Sequence, residues 1–219
     1  ALVWYTNAGK STLMNALTNA DVLVEDRLFA TLDSTIRALD LVEHQRVLLI
    51  DTVGFIRKLP HHLVASFKST LEETAEADLL LHVIDVTSPA IYEQIDTVKS
   101  VLNDLGIKNK PMVNVFNKID LVQDKSILAE LKQLEEPGVF ISAERGIFLN
   151  ELVDKIRQFI DTQTRYMTIS LPISRSKTVA QLHDLAKVLN VDYKDSKVNI
   201  ELRTNVANAE RIERLVAPI

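Results

Sequence analysis

The sequence predicts a three-layer α/β/α fold around a mostly parallel, doubly wound sheet, with a small α+β domain appended. Strand-like apolar runs alternate with helix-length amphipathic runs from Ala1 to Ile160, the pattern of repeated βαβ units. The run Leu79–Val86 is almost continuously apolar, as in a strand buried on both faces. Clusters rich in Gly, Asn and Asp follow several of these runs. Ligands of doubly wound sheets bind there, at the carboxyl ends of the strands.

The elements follow in order. Ala1–Val3 starts as a strand, and Thr12–Leu17 reads as a helix. Asp21–Thr35 is polar and irregular. Ile36–Glu43 and Arg46–Ile50 alternate as two strands joined at His44-Gln45, and Leu63–Ala77 reads as a helix. Ala90–Leu105 reads as a helix with Pro89 near its start and Gly106 past its end, the usual asymmetry of helix termini. Pro111–Phe116 is strand-like, Lys125–Leu134 helical, Val139–Ser142 a short strand, and Phe148–Ile160 an amphipathic helix. The pattern changes after Thr164. Thr168–Pro172 and Lys197–Arg203 read as strands, and Lys177–Leu189 and Ala207–Val216 as helices. Two domains are therefore expected, 1–164 and 165–219. The second, at about 50 residues, is short for an independent core.

Composition narrows the function classes. Of 219 residues, 47% are hydrophobic and 25% charged, ordinary values for a globular chain. No apolar run is long enough for a transmembrane helix. The absence of cysteine excludes disulfides and thiolate metal sites, and fits a reducing compartment. A cytoplasmic monomer is expected. The formal charge of −5 argues against indiscriminate coating of nucleic acid. The first strand is very short, so an upstream part, a whole domain, is expected to precede it.

The chemistry begins at Trp4-Tyr5-Thr6-Asn7-Ala8-Gly9-Lys10-Ser11-Thr12. A strand, a Gly-Lys-Ser turn and a helix form a phosphate-binding loop, where backbone N–H groups converge on phosphate oxygens. Lys10 would reach the β- and γ-phosphates and the Ser11 hydroxyl would ligate Mg2+. A cation in the first turn opposes the helix dipole unless an anion is bound there. The full pattern opens with glycine, and here Trp4 stands in its place. An indole there either crowds the nucleotide or turns outward.

Asp51-Thr52-Val53-Gly54 ends the strand Val47–Ile50. Asp51 can hold a Mg2+-bound water. Gly54 lets its N–H approach a γ-phosphate closely. Asn117-Lys118-Ile119-Asp120 follows the strand Pro111–Phe116. The Asp120 carboxylate matches the N1–H and N2–H2 donors of guanine, a pair adenine lacks. Asn117 can bond the base N7, and the Lys118 stem can cover the ring. Ser142-Ala143-Glu144, after the next strand, would support the base with a small residue and a backbone N–H. Alone, each segment is equally a common polar turn. Their order, each at a strand end, is that of a guanine-nucleotide site.

Several stretches resemble the HflX family of translation GTPases. These are Tyr5–Thr12, Leu28-Phe29-Ala30-Thr31-Leu32-Asp33, Asp51–Arg57 with Leu59-Pro60-His61, and Phe67–Glu73. The resemblance is close over residues 1–162 and loose beyond. It implies a P-loop GTPase domain hydrolysing GTP to GDP with Mg2+ held by Ser11, Thr31 and Asp51. Phe29–Asp33 would form the first switch, with Thr31 completing the metal shell, and the second switch would follow Gly54. Lys10, Thr31 and Gly54 would carry catalysis. The family partner is the large ribosomal subunit, and members are associated with ribosome rescue or splitting under stress.

Phe55 follows Gly54, where many GTPases place a glutamine that orients water. Slow intrinsic hydrolysis is expected, with help from outside. Asn7 matches the position that helps bind K+ in related potassium-activated GTPases. Arg57, Lys58, His61, His62 and Lys68 form either a solvated switch face or an RNA-phosphate contact. Asn114 falls in a strand expected to be buried and needs a partner. A catalytically impaired binding module, damaged by Trp4, is the alternative to an active GTPase. An ATPase or small-molecule kinase is disfavoured by Asn117–Asp120.

Overall fold

The computed structural model describes residues 1–5, 7–18, 35–41, 46–52, 73–134, 138–194 and 196–217. It divides into two compact units, Ala1–Asp154 and Lys155–Ile219.

The first unit is built on a six-stranded sheet. In chain order its strands are β1 (Leu2–Trp4), β2 (Thr35–Asp40), β3 (Arg46–Asp51), β4 (Leu80–Asp85), β5 (Met112–Asn117) and β6 (Gly138–Phe140). Their spatial order is β2-β3-β1-β4-β5-β6. All neighbours pair in parallel except β2 with β3. Described helices of this unit are α1 (Lys10–Thr18), α2 (Ile91–Asp104), α3 (Ser126–Leu131) and α4 (Leu149–Thr162), the last crossing into the second unit. The expected fold is thus present. Gly106 ends α2 at φ 75°, its N–H donating to Asn103 O at 2.9 Å.

The core follows from the apolar runs. Val3, Leu80, Val98, Leu102 and Ile107 pack as one buried cluster, and Ile84, Ile91, Ile95, Phe116 and Leu131 as another. α2 supplies Ile91, Ile95, Val98 and Leu102 at helical spacing, the stripe expected of a helix laid on a sheet.

Asn114 is the exception inside this core. It is 0% exposed in β5 and pairs in register with His82 of β4. Neither its Nδ2 nor its Oδ1 has a hydrogen-bond partner among the described residues. A buried unpaired amide is costly. Asn114→Val is therefore expected to stabilise the chain by about 2 kcal/mol, since the desolvated groups disappear and a β-branched residue suits the strand. Thermal unfolding should shift up by about 5 °C; a lowered midpoint would show that the amide is satisfied in solution.

The second unit holds a three-stranded antiparallel sheet in which β9 (Lys197–Asn205) lies between β7 (Thr164–Pro172) and β8 (Lys187–Lys194). Its helices are α5 (Ser176–Leu185) and α6 (Val206–Val216). Ile169, Leu171, Val198, Ile200 and Leu202 pack with Leu182 and Ile212 of the helices. The expected helix over Lys177–Leu189 is corrected here. It ends at Leu185, and β8 follows. The register shift between Val188 and Asn190 breaks the period-two alternation that would have marked the strand.

Candidate functional site

Four parallel strands, β1, β3, β4 and β5, end at Trp4, Asp51, Asp85 and Asn117. Ser142–Glu144 follows β6 closely. The described parts of the predicted motifs therefore gather at the carboxyl ends of these strands, as strand direction requires.

The phosphate-type loop turns through Asn7 at φ 64° and Gly9 at φ 85°, both in the left-handed region that glycine and asparagine tolerate best. Helix α1 begins directly at Lys10, with Leu13 N–H donating to Gly9 O at 3.0 Å. Gly9 is also fixed by space. A Cβ there would lie 2.5 Å from Asn117 Nδ2.

Lys10 is 6% exposed, and its Nζ donates to the Asp51 carboxylate. The same Nζ lies 4.4 Å from the ring centroid of Trp4. Trp4 is 5% exposed, so the indole turns inward against the loop lysine. Burial lowers the pKa of the Lys10 ammonium from its ordinary value, and Asp51 opposes that shift. Thr52, behind Asp51, is buried and donates its hydroxyl to Leu2 O at 2.6 Å. This ties the end of β3 to β1.

The second cluster braces the first. Asn117 is 2% exposed. Its Nδ2 donates to Ala8 O and its Oδ1 accepts from Ala143 N–H, both at 2.9 Å. One amide therefore joins the loop after β1, the end of β5 and the loop after β6. Lys118 adopts φ 69°. Its Nζ donates to Asn7 O at 2.9 Å and to Asp85 Oδ2 at 2.6 Å. Asp85 Oδ1 accepts from Thr87 N–H and Oγ1–H. Ser142 is buried, its Oγ accepts from Arg145 N–H at 3.1 Å, and its backbone bridges to Ile147. Arg145 Nε lies 3.9 Å from Asp120 Oδ2.

Residues 1–118 match the family model described as 50S ribosome-binding GTPase. The GTPase HflX of Caldanaerobacter subterraneus subsp. tengcongensis is 44% identical over 216 residues, covering 99% of this chain and 49% of that protein. The GTPase HflX of Magnetococcus marinus is 46% identical over 192 residues, covering 87% and 44%.

This chain belongs to the HflX GTPase family.

It spans about half the length of the curated HflX relatives it matches. A solved GTP-binding protein from the hyperthermophilic archaeon Sulfolobus solfataricus, in complex with GDP, is 31% identical. It aligns with a TM-score of 0.58 over 74% of this chain and 51% of that one. The P-loop GTPase fold follows from these likenesses together with the sheet order.

Trp4, Asn7, Ala8, Gly9, Lys10, Asp51, Asn117, Lys118 and Ala143 come together by the contacts given above. Ser11 and Thr12 lie in the first turn of α1, and Tyr5 directly follows β1. Ile119 and Asp120 open a short 3-10 turn, with Ile119 N–H donating to Ile141 O, and Glu144 is exposed. Thr6, Phe29, Ala30, Thr31, Leu32, Asp33, Val53 and Gly54 lie outside the described residues, as do Phe55, Arg57, Lys58, His61, His62 and Lys68. Sequence reasoning missed Asp85 and Arg145. The available signal for Asp85 was a carboxylate closing the apolar run Leu80–Ile84.

Among the described residues, no helix is long and apolar enough to cross a membrane.

Proposed function

We propose that this HflX-family chain is a GTP-binding and GTP-hydrolysing switch that works on the large ribosomal subunit. Residues 1–164 form its G domain and 165–219 a small C-terminal domain, acting as a cytoplasmic monomer. The observation that carries the reading is the Asn117 bracket. It joins the phosphate-type loop to the base-type loop at hydrogen-bonding distance, as one nucleotide spanning both requires.

In this reading Trp4–Thr12 surround the phosphates, and Asn117–Asp120 with Ser142–Glu144 hold guanine. Asp85 keeps the Lys118 ammonium at the loop, leaving the stem to lie along the base. Ser11, Asp51 and Thr31 would hold Mg2+. The two described groups fit it, being oxygen donors of the kind Mg2+ takes, and Asp51 is buried beside the loop lysine. Mg2+ would neutralise charge on the phosphate oxygens. Lys10 must leave Asp51 to serve the phosphates, so the ion pair holds the two charges balanced until nucleotide arrives. Gly54 would sense the γ-phosphate, and Thr31 would close over it.

Phe55 carries no group able to orient water. Asn7 would supply the carboxamide of the K+ position, by its place in the loop sequence. Hydrolysis should therefore run severalfold faster in KCl than in NaCl at equal ionic strength, and equal rates would exclude a K+ role.

A direct test measures GDP binding by this chain, then phosphate release from GTP with and without large ribosomal subunits. Binding with subunit-stimulated release supports the switch. Binding without release in either condition favours the second reading, an impaired guanine-nucleotide module, which the inward Trp4 supports. Failure to bind either guanine nucleotide overturns both. The ribosomal partner rests on the matched family, whose description is ribosome-binding.

A further inference from the structure

The two units differ sharply in charge. Residues 155–219 hold 11 Lys and Arg against 7 Asp and Glu, a formal +4, whereas the whole chain is −5. The remaining residues therefore carry −9. Such an asymmetry within one chain points to a polyanionic partner for the basic part.

The C-terminal sheet has one open face. Val198, Ile200 and Leu202 of β9 face the helices with Ile169 and Leu171. Alternation sends Lys197, Asn199, Glu201 and Arg203 to the opposite side, while Asn205 ends the strand and caps α6 with its side chain, Oδ1 accepting from Asn208 N–H at 2.7 Å. Register then places Tyr166 of β7 and Lys187 of β8 on either side of Arg203. The result is a row across the sheet of an aromatic ring, a guanidinium and an ammonium. Tyr166 is 66% exposed, and Lys187 is also exposed. A large aromatic ring left in water beside two cations is not explained by the core. At the far end of the face, Lys197 pairs in register with Lys194. Asp192 is engaged by Lys194 at 2.9 Å, which leaves Glu201 as the carboxylate central to the face.

We propose that this open face binds single-stranded RNA, with a base stacked on Tyr166 and flanking phosphates on Arg203 and Lys187. Sheet faces of this kind suit single strands because every base offers a π-face, and cations beside the ring take the backbone. An acidic protein surface would satisfy the cations but would have no use for an exposed ring between solvent and guanidinium. The surface lies wholly within residues 155–219, so it stands apart from the nucleotide-binding reading.

The test is fluorescence anisotropy of a short labelled single-stranded RNA with the full chain, at several salt concentrations. Binding should weaken steeply with salt. Tyr166→Ala should lower affinity about tenfold, the effect of losing one stacked base, while Tyr166→Phe retains it. Lys187→Gln and Arg203→Gln should each reduce the salt slope by about one phosphate contact. Lys177→Gln, on α5, should change affinity less than about twofold, as a charge off the face. GDP binding measured on the same samples checks the G domain independently. Absence of salt-dependent binding overturns the proposal. So does equal affinity of Tyr166→Ala and the parent chain, or displacement of RNA by polyglutamate as effective as by unlabelled RNA.

Discussion

Trp4→Gly is expected to tighten GDP binding by at least about tenfold, equivalent to about 1.4 kcal/mol. The indole is buried, and the Lys10 ammonium lies over its face. A phosphate must take that ammonium, so binding breaks a cation–π contact of about 1–2 kcal/mol in a desolvated setting. The ring also occupies space beside the loop that glycine would leave open. The same substitution empties a large buried volume at the end of β1. The nucleotide-free chain should therefore lose about 3 kcal/mol of stability, offset by ligand when GDP is in excess. Titration with fluorescent GDP and thermal unfolding with and without GDP measure both effects. Equal affinities of parent and variant would mean that the ring yields without cost.

Asp120→Asn is expected to exchange base preference. Guanine presents two donors at N1 and N2, and a carboxylate accepts both. An asparagine side chain offers one acceptor and one donor, so its amino group meets the guanine amino group. A site that leaves buried donors facing each other rejects its ligand strongly, and GDP affinity should fall about a hundredfold or more. Xanthine carries an oxygen in place of the amino group and restores the match. Xanthosine diphosphate should then bind the variant more tightly than GDP does. Arg145, 3.9 Å from Asp120, would lose its charge partner, a small effect for an exposed side chain. Loss of GDP binding with no gain for the xanthine nucleotide would place the base elsewhere.

Much of the fold was legible because the parallel sheet buries continuous apolar strands and each crossover helix carries its own stripe. Leu79–Val86 and Ile91–Asp104 needed no tertiary information. β8 did, since its bulge spoils alternation and Lys177–Leu189 then reads as one helix. The order of the motifs made the candidate site legible, because each depends on residue types at fixed spacing. The direction of the Trp4 ring was not legible. Both directions satisfy the sequence, and packing against Lys10 decides between them. Asp85 was hidden for a related reason. A carboxylate closing an apolar run looks like an ordinary strand end until Lys118, distant in sequence, reaches it.

The Asn117 amide has a thermodynamic consequence. Its two ends hold different loops, one bearing the phosphate-type turn and one the base-type turn. The free energies of gripping the two ends of a nucleotide are then not separable quantities. Substitutions at Ala8, Gly9 and Ala143 share this one partner, so their effects on affinity combine non-additively, as for residues in one network. Double-mutant cycles across the two loops would register that coupling as a free energy, and base identity would be felt in how firmly the phosphates are held.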